Sequence, residues 1–454
     1  MPTAHAHTTS HLLTGGYRPV GEETTEHGLP VRGQLPPELD GTLLRIGANP
    51  LGAHDPALDH AFAGDAMVHG LRLRGGRAEW YRNRWLRSDR VARALGELPT
   101  PGPRRGLADT VNAGLVRHAG RTLALGDGGA LPVQIGDELQ TLARIDLDGT
   151  LPAGFAAHPV CDPLTGELHA LAHDHTLPHL THLTVDALGK VRRAEPITVK
   201  GTPMVHAFSL TDRHAIIYDL PVTYDPQAAA AGSRVPYTWD DNHGARLGLL
   251  PREGSDADVL WLEIDPCFVF HPVNAYEEGD RTVVDVIRHE RVFDRDQLHP
   301  TESTPTLWRW TVDRRHGTVR EHRLDGRAQE FPRIDERFAG SRHRYAFTVG
   351  LRADEGFALA GPTLLRHDLA AGVSDTHELG PGRDAGGAVF VPRSAHAPEG
   401  DGWLLSLVHD AGSDRGELIV LDTARFSGPP VAVVPLPVRV PHGFHTQWVA
   451  SAHG

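Results

Sequence analysis

Two cysteines in 454 residues, Cys161 and Cys267, cannot build a disulfide framework or a cysteine-rich zinc site. Lysine is as scarce. Lys190 and Lys200 are the only two, which confines lysine-assisted or Schiff-base chemistry to those positions. No apolar run is long enough to span a bilayer, and the N-terminal MPTAHAHTTSHLLTGG lacks the apolar core of a signal peptide. The chain is therefore read as soluble and cytoplasmic. Positive charge is in deficit: the formal net charge of −13 argues against nucleic acid, and nothing suggests an electrostatic grip on anionic lipid. There is no GxSxG elbow, no HExxH and no P-loop. The stretch from Gly380 to Ala385 matches GxGxxA, but no strand–turn–helix pattern frames it as a nucleotide site.

What the chain has in quantity is turns and histidines. With 49 glycines and 35 prolines, long uninterrupted helices are not expected. Short alternating apolar runs separated by turn signals read as successive hairpins. One is VHGLRL, the turn Arg74-Gly75-Gly76-Arg77, then AEWYRNRW; another is LWRWTVDRRHGTVREHRL. Helical pattern is confined to Val91–Leu98 and Pro226–Ala231. The stretch from Val222 to Arg252 has little periodicity, and loops of that length are usually lids or rims. Residues 1–15 read as a disordered polar tail and 16–454 as one all-β domain, a propeller or large barrel, since closure handles edge strands.

Thirty histidines are too many for all to be functional. A dense set, His169, His173, His175, His179 and His182, reads as a solvated hairpin because its spacing fits no single facial set. A dispersed set is His158 in AAHPV, His206 in MVHAF, His271 in FVFHPV and His445 in GFHTQW. His271 ends a strand-like apolar run that Pro272 is expected to stop, and alone it reads as a core histidine. Four neutral imidazoles from separate blades suit a divalent transition metal. Spacing alone does not single them out.

Several ordered motifs do. They are LPPELDGTLLRIGANP (35–50), Gly64 to His69, YRNRWLRS (81–88), AHPVCDPLTGEL (157–168), His206 with Phe208 and Thr211, FHPVNAYE (270–277), EFPRIDERF (330–338) and the terminal GFHTQW. Through them the chain from about Gly33 onward resembles the carotenoid cleavage oxygenase family, including its stilbene-cleaving branch. The resemblance implies a seven-bladed β-propeller, with short helices and long loops capping an axial Fe(II) held by four histidines. It implies oxidative cleavage of a carbon–carbon double bond with O₂ to give two carbonyl products. Matched by position, the ligands fall on His158, His206, His271 and His445, with His442 not among them. Carboxylates that orient the ligand imidazoles fall on Glu330 and on Asp127, where the family carries the longer glutamate and a water-bridged reach is expected. At the third such position this chain has Gly387, with Asp384 the nearest substitute. Ile46 and Ala48 stand where asparagine and proline are usual, and Ala63 and Ala66 where aspartate and glycine are.

Stilbene-cleaving relatives engage a phenol through a lysine at the position of Gly126, so that device is missing. The expected substrate is an apolar carotenoid or apocarotenoid, with Tyr81, Trp85, Phe208 and Phe270 as candidate lining. A carotenoid dissolved in membrane requires an apolar rim, for which Tyr237, Trp239 and Leu247 to Leu250 are the candidates. Two alternatives stand beside this reading: a stilbene or phenylpropanoid alkene as substrate, or a turnover-deficient propeller serving as a binding scaffold.

Overall fold

The alternating runs pair in chain order. A computed structural model describes residues 14–52, 61–105, 110–295, 302–353 and 358–451. The proposed tail thus lies almost wholly outside the described residues. Antiparallel sheets form at 114–144, 160–198, 209–263, 272–325, 329–378 and 383–435, the last taking in Arg32–Gly33 as its outer strand. The seventh combines both ends of the chain, in the order Thr25–Leu29, Arg77–Trp85, Ala66–Arg74, Gly41–Ala48 and His445–Ala450. These are the seven blades of a β-propeller. A two-stranded ribbon, Val222–Tyr224 with Tyr237–Trp239, stands apart from them and carries the helix Pro226–Ala230 between its strands.

Closure comes from the seventh blade. The C-terminal strand pairs with Gly41–Ala48 in a register that sets His445 opposite Ile46. A circular arrangement sealed this way leaves no long open sheet edge for another chain to join. Turn chemistry is visible at Gly75 and Gly76, whose φ values of 55° and 73° suit the tight turn between the two hairpin strands. Between blades the contacts are apolar, with Trp310, Phe268, Phe293 and Phe347 fully buried.

Two local expectations change. Pro272 does not stop regular structure; it begins the strand Pro272–Glu278, and Phe268 forms only an isolated bridge with His289. Proline is tolerated as the first residue of an edge strand, where its missing N–H breaks no ladder. The Val222–Arg252 stretch is structured, and it gives no apolar rim. Tyr237 and Trp239 are buried, and Leu247, Leu249 and Leu250 are core residues of the third blade. Among the described residues no helix is long and apolar enough to cross a membrane.

Candidate metal centre

His158 precedes the edge strand Val160–Cys161, His206 precedes Ser209–Leu210, His271 precedes Pro272–Glu278, and His445 opens His445–Ala450. Each is delivered by the start of an edge strand of its own blade. This repetition turns four distant positions into one cluster, whose candidate ligand atoms all lie within 4.8 Å of one another. The Nε2 atoms of His158 and His206 are 2.9 Å apart. The rings meet edge to face, with centroids 4.3 to 5.4 Å apart.

Two carboxylates fix which nitrogen faces inward. His206 Nδ1 donates to Asp127 Oδ2 at 2.7 Å, and His271 Nδ1 donates to Glu330 Oε2 at 2.7 Å. With Nδ1–H so engaged, Nε2 presents its lone pair to the cluster. The aspartate is one methylene shorter than glutamate but makes a direct bond, so the water-bridged reach is not what is found. Burial pushes the Glu330 carboxyl up, but the charge and hydrogen bonds of His271 and His289 outweigh it and hold it at about 2. Burial, reinforced by the neighbouring imidazoles, holds His158 and His445 well below the usual histidine value and keeps them neutral.

The donor set fits a cation. Among the described residues the Nε2 atoms of His271 and His445 are buried with no hydrogen-bond partner, a costly arrangement for polar nitrogen unless an ion takes the lone pairs. Neutral imidazole nitrogens suit divalent transition metals.

Above the cluster lies a cavity of about 300 Å³. His206, His271 and Asp127 form part of its wall, with Phe62, Met204, Phe270 and Phe444 supplying apolar surface. Of the four aromatic residues expected to line it, only Phe270 does. Tyr81 is buried in the seventh blade with its hydroxyl 2.8 Å from His69 Nδ1. Trp85 donates its indole N–H to the Asn49 carbonyl at 2.8 Å, and Phe208 packs between the second and third blades. All three sit on blade strands or their flanks, where aromatics fill the core. The ribbon contributes Arg234, Val235 and Tyr237 to the cavity, so it does act as a wall.

The dense histidine set is not a solvated hairpin: His169, His173 and His182 are buried, and His173 reaches the cavity. His442 is also buried, beside Tyr17 and His409. Asp384 does not stand in for a carboxylate at Gly387; it pairs with Arg352 at 2.7 Å. A Cβ at Gly387 would meet the Phe331 side chain at 3.3 Å, so Phe331 occupies the ground beside that backbone. Sequence reasoning passed over His289, which donates from Nε2 to the second Glu330 oxygen at 3.0 Å. Its signal was a histidine immediately after the apolar strand Arg281–Arg288, whereas His271 stands immediately before its strand.

The retinal pigment epithelial membrane protein family model matches residues 17–450. The chain is 42% identical to a carotenoid cleavage oxygenase of Mycobacterium tuberculosis, over 99% of this chain and 100% of that one. It is 31% identical to an isoeugenol monooxygenase of Pseudomonas putida, over 96% and 97%. The crystal structure of a Pseudomonas brassicacearum lignostilbene dioxygenase is similar with a TM-score of 0.88 at 27% identity, covering 97% of this chain and 98% of that one. A full-length family match, a propeller shared with a solved member and a four-histidine cluster on its axis agree: the chain belongs to the carotenoid cleavage oxygenase family, a family of oxygenase-type enzymes.

Proposed function

We propose that the protein is an Fe(II) dioxygenase that cleaves a carbon–carbon double bond of a carotenoid or apocarotenoid. The observation that carries this reading is the convergence of four imidazoles in one cluster, two of which, His206 and His271, form part of the wall of a largely apolar cavity. His158, His206, His271 and His445 would hold the ion. Bound there, Fe(II) would supply the redox chemistry that lets O₂ react with an alkene. Asp127 and Glu330 hold two of the imidazoles in one tautomer and orientation. Phe62, Met204, Phe270 and Phe444 give a polyene apolar contact and keep water from the reacting bond. The alkene carbon–carbon bond is broken, and each oxygen atom of O₂ ends in one of two carbonyl groups. No acid or base from the chain is required by that balance.

A second reading takes a phenylpropanoid alkene as substrate. Tyr237 and Arg234 favour it, because they bring polar groups into the cavity wall, and relatives named for isoeugenol and lignostilbene are similar over nearly the whole chain. Incubating anaerobically prepared, Fe(II)-loaded protein with a mixed panel under labelled O₂ separates the two. Labelled aldehydes from carotenoids or apocarotenoids support the first; turnover restricted to hydroxystilbenes or isoeugenol supports the second. Protein that takes up no Fe(II), or His445→Ala protein with full activity, would falsify the metal assignment.

A further inference from the structure

The segment that carries His445 is gripped from behind by a buried cation. Arg45 lies on the strand Gly41–Ala48 and is 2% exposed. Its Nη2 donates to the Gly443 carbonyl at 2.6 Å, and its Nη1 donates to Thr446 Oγ1 at 2.9 Å and to the Gly387 carbonyl at 3.3 Å. The Thr446 hydroxyl donates to the same Gly387 carbonyl at 2.7 Å. One guanidinium therefore holds chain on both sides of His445. Arg333 adds a bond from Nη2 to the Thr446 carbonyl at 2.8 Å.

Among the described residues none of the Arg45 partners is a carboxylate, and its Nε has no hydrogen-bond partner. A buried charge without a counter-ion is expensive; the buried Asp285 carboxylate, by contrast, is paired with Arg309. Burial, then the nearby charge of Arg333, lower the guanidinium to about 10, so it stays cationic at neutral pH. The surrounding backbone is shaped for this approach. A Cβ at Gly386 would stand 2.2 Å from Arg45 Nη2, and one at Gly443 would stand 3.0 Å from the Gly47 Cα.

We infer that Arg45 is a positioning residue for the metal ligand His445. It acts through the backbone, whereas Asp127 and Glu330 act on His206 and His271 through Nδ1. Gly387 offers no side chain to His445, and the imidazole is bounded instead by Phe331 and His158, at centroid distances of 5.9 and 4.4 Å. Its placement then depends on where its Cα is held, and small displacements of a ligand are enough to spoil a metal site. This inference rests on the reading of the four histidines as a metal site.

The test compares Arg45→Met, Arg45→Lys and Thr446→Val with the wild type and with Leu71→Ala. Leu71 lies opposite Leu43 in the same blade, away from the pairing of Ile46 with His445. Fe(II) is titrated anaerobically, the electron paramagnetic resonance spectrum of the nitric oxide adduct is recorded, and metal-free proteins are melted. Arg45→Met and Thr446→Val should weaken Fe(II) binding at least about tenfold and alter the spectrum. Arg45→Lys should recover part of both. Leu71→Ala should lower the melting temperature while leaving affinity and spectrum unchanged. Wild-type affinity and line shape in Arg45→Met would overturn the inference, and if that variant does not fold, the same outcome in Thr446→Val overturns it. Wild-type protein that binds no Fe(II) overturns the metal reading itself, and this inference with it.

Discussion

Asp127 ties two of the clustered histidines together: Oδ2 accepts from His206 Nδ1 at 2.7 Å, while Oδ1 accepts from the Ala157 N–H, next to His158, at 3.2 Å. One short carboxylate thus fixes a ring and the backbone that presents its neighbour. Asp127→Asn keeps the shape but removes the charge and replaces one acceptor by an N–H donor. Fe(II) affinity should fall about 10–100-fold, with the metal-free fold intact by circular dichroism. Unchanged affinity in a titration would show that the carboxylate does not orient the imidazole.

Phe331 carries the second structural device. Its φ of 55° is in the left-handed region, and the register of its strand shifts between Glu330 and Arg333. The bulge points Glu330 at His271 and lays the Phe331 ring 5.2 Å from the His271 ring. Phe331→Ala should cost about 3–5 kcal/mol of stability through lost packing. Phe331→Gly should cost less than Phe331→Ala by about 1 kcal/mol, because glycine adopts this backbone without the Cβ penalty. Urea unfolding of metal-free protein measures both. The opposite order would mean that the backbone there is not strained.

How far the sequence led depended on the kind of information required. Hairpins were legible because alternation and glycine turns are local signals, and the Arg74 to Arg77 turn lies where its residues demand. The histidine cluster was legible only through motifs, because convergence of His158 and His445 depends on ring closure. Tyr81, Trp85 and Phe208 misled because an aromatic residue on a strand carries no mark of which blade face it fills. The cavity instead draws on Met204, Phe444 and Tyr237, which lie in connecting segments or the ribbon, where periodicity says nothing. Arg45 and His289 were invisible for a related reason. Their roles are hydrogen bonds to residues 398 and 41 positions away.

Those placements separate cavity residues from core residues by experiment. Phe444→Ala and Met204→Ala remove apolar wall and should raise KM for an apolar alkene severalfold. Tyr81→Phe removes only the bond to His69, so it should cost about 1 kcal/mol of stability and leave KM unchanged. Steady-state kinetics on the best substrate of the panel decides. A larger KM change in Tyr81→Phe than in Phe444→Ala would mean the assignment of the cavity is wrong.

The buried pair His169 and His182 makes the fold sensitive to acid within the second blade, where His169 pairs with Val160, two residues from His158. The rings stack at 5.5 Å with Nδ1 of His169 3.4 Å from Nε2 of His182. Burial, then the Arg252 charge, lower His169 to about 4; burial, then His169 and nearby arginines, lower His182 to about 3. Glu167, 3.6 Å from His169 Nε2, opposes the shift without cancelling it. In the unfolded chain both titrate near 6.5. Above that value neither state binds the proton and the pair leaves stability unaffected. As pH falls below it, the unfolded chain takes up protons that the folded chain refuses, so stability declines until the folded values are reached. Each histidine should cost about 2 kcal/mol between pH 7 and pH 5. Replacing both by leucine should remove that part of the slope while leaving the carboxylate titration below pH 4 in place. Urea unfolding at pH 7, 6 and 5 measures it. Parallel slopes for wild type and the double variant would place the acid sensitivity elsewhere, because leucine takes up no proton in either the folded or the unfolded chain.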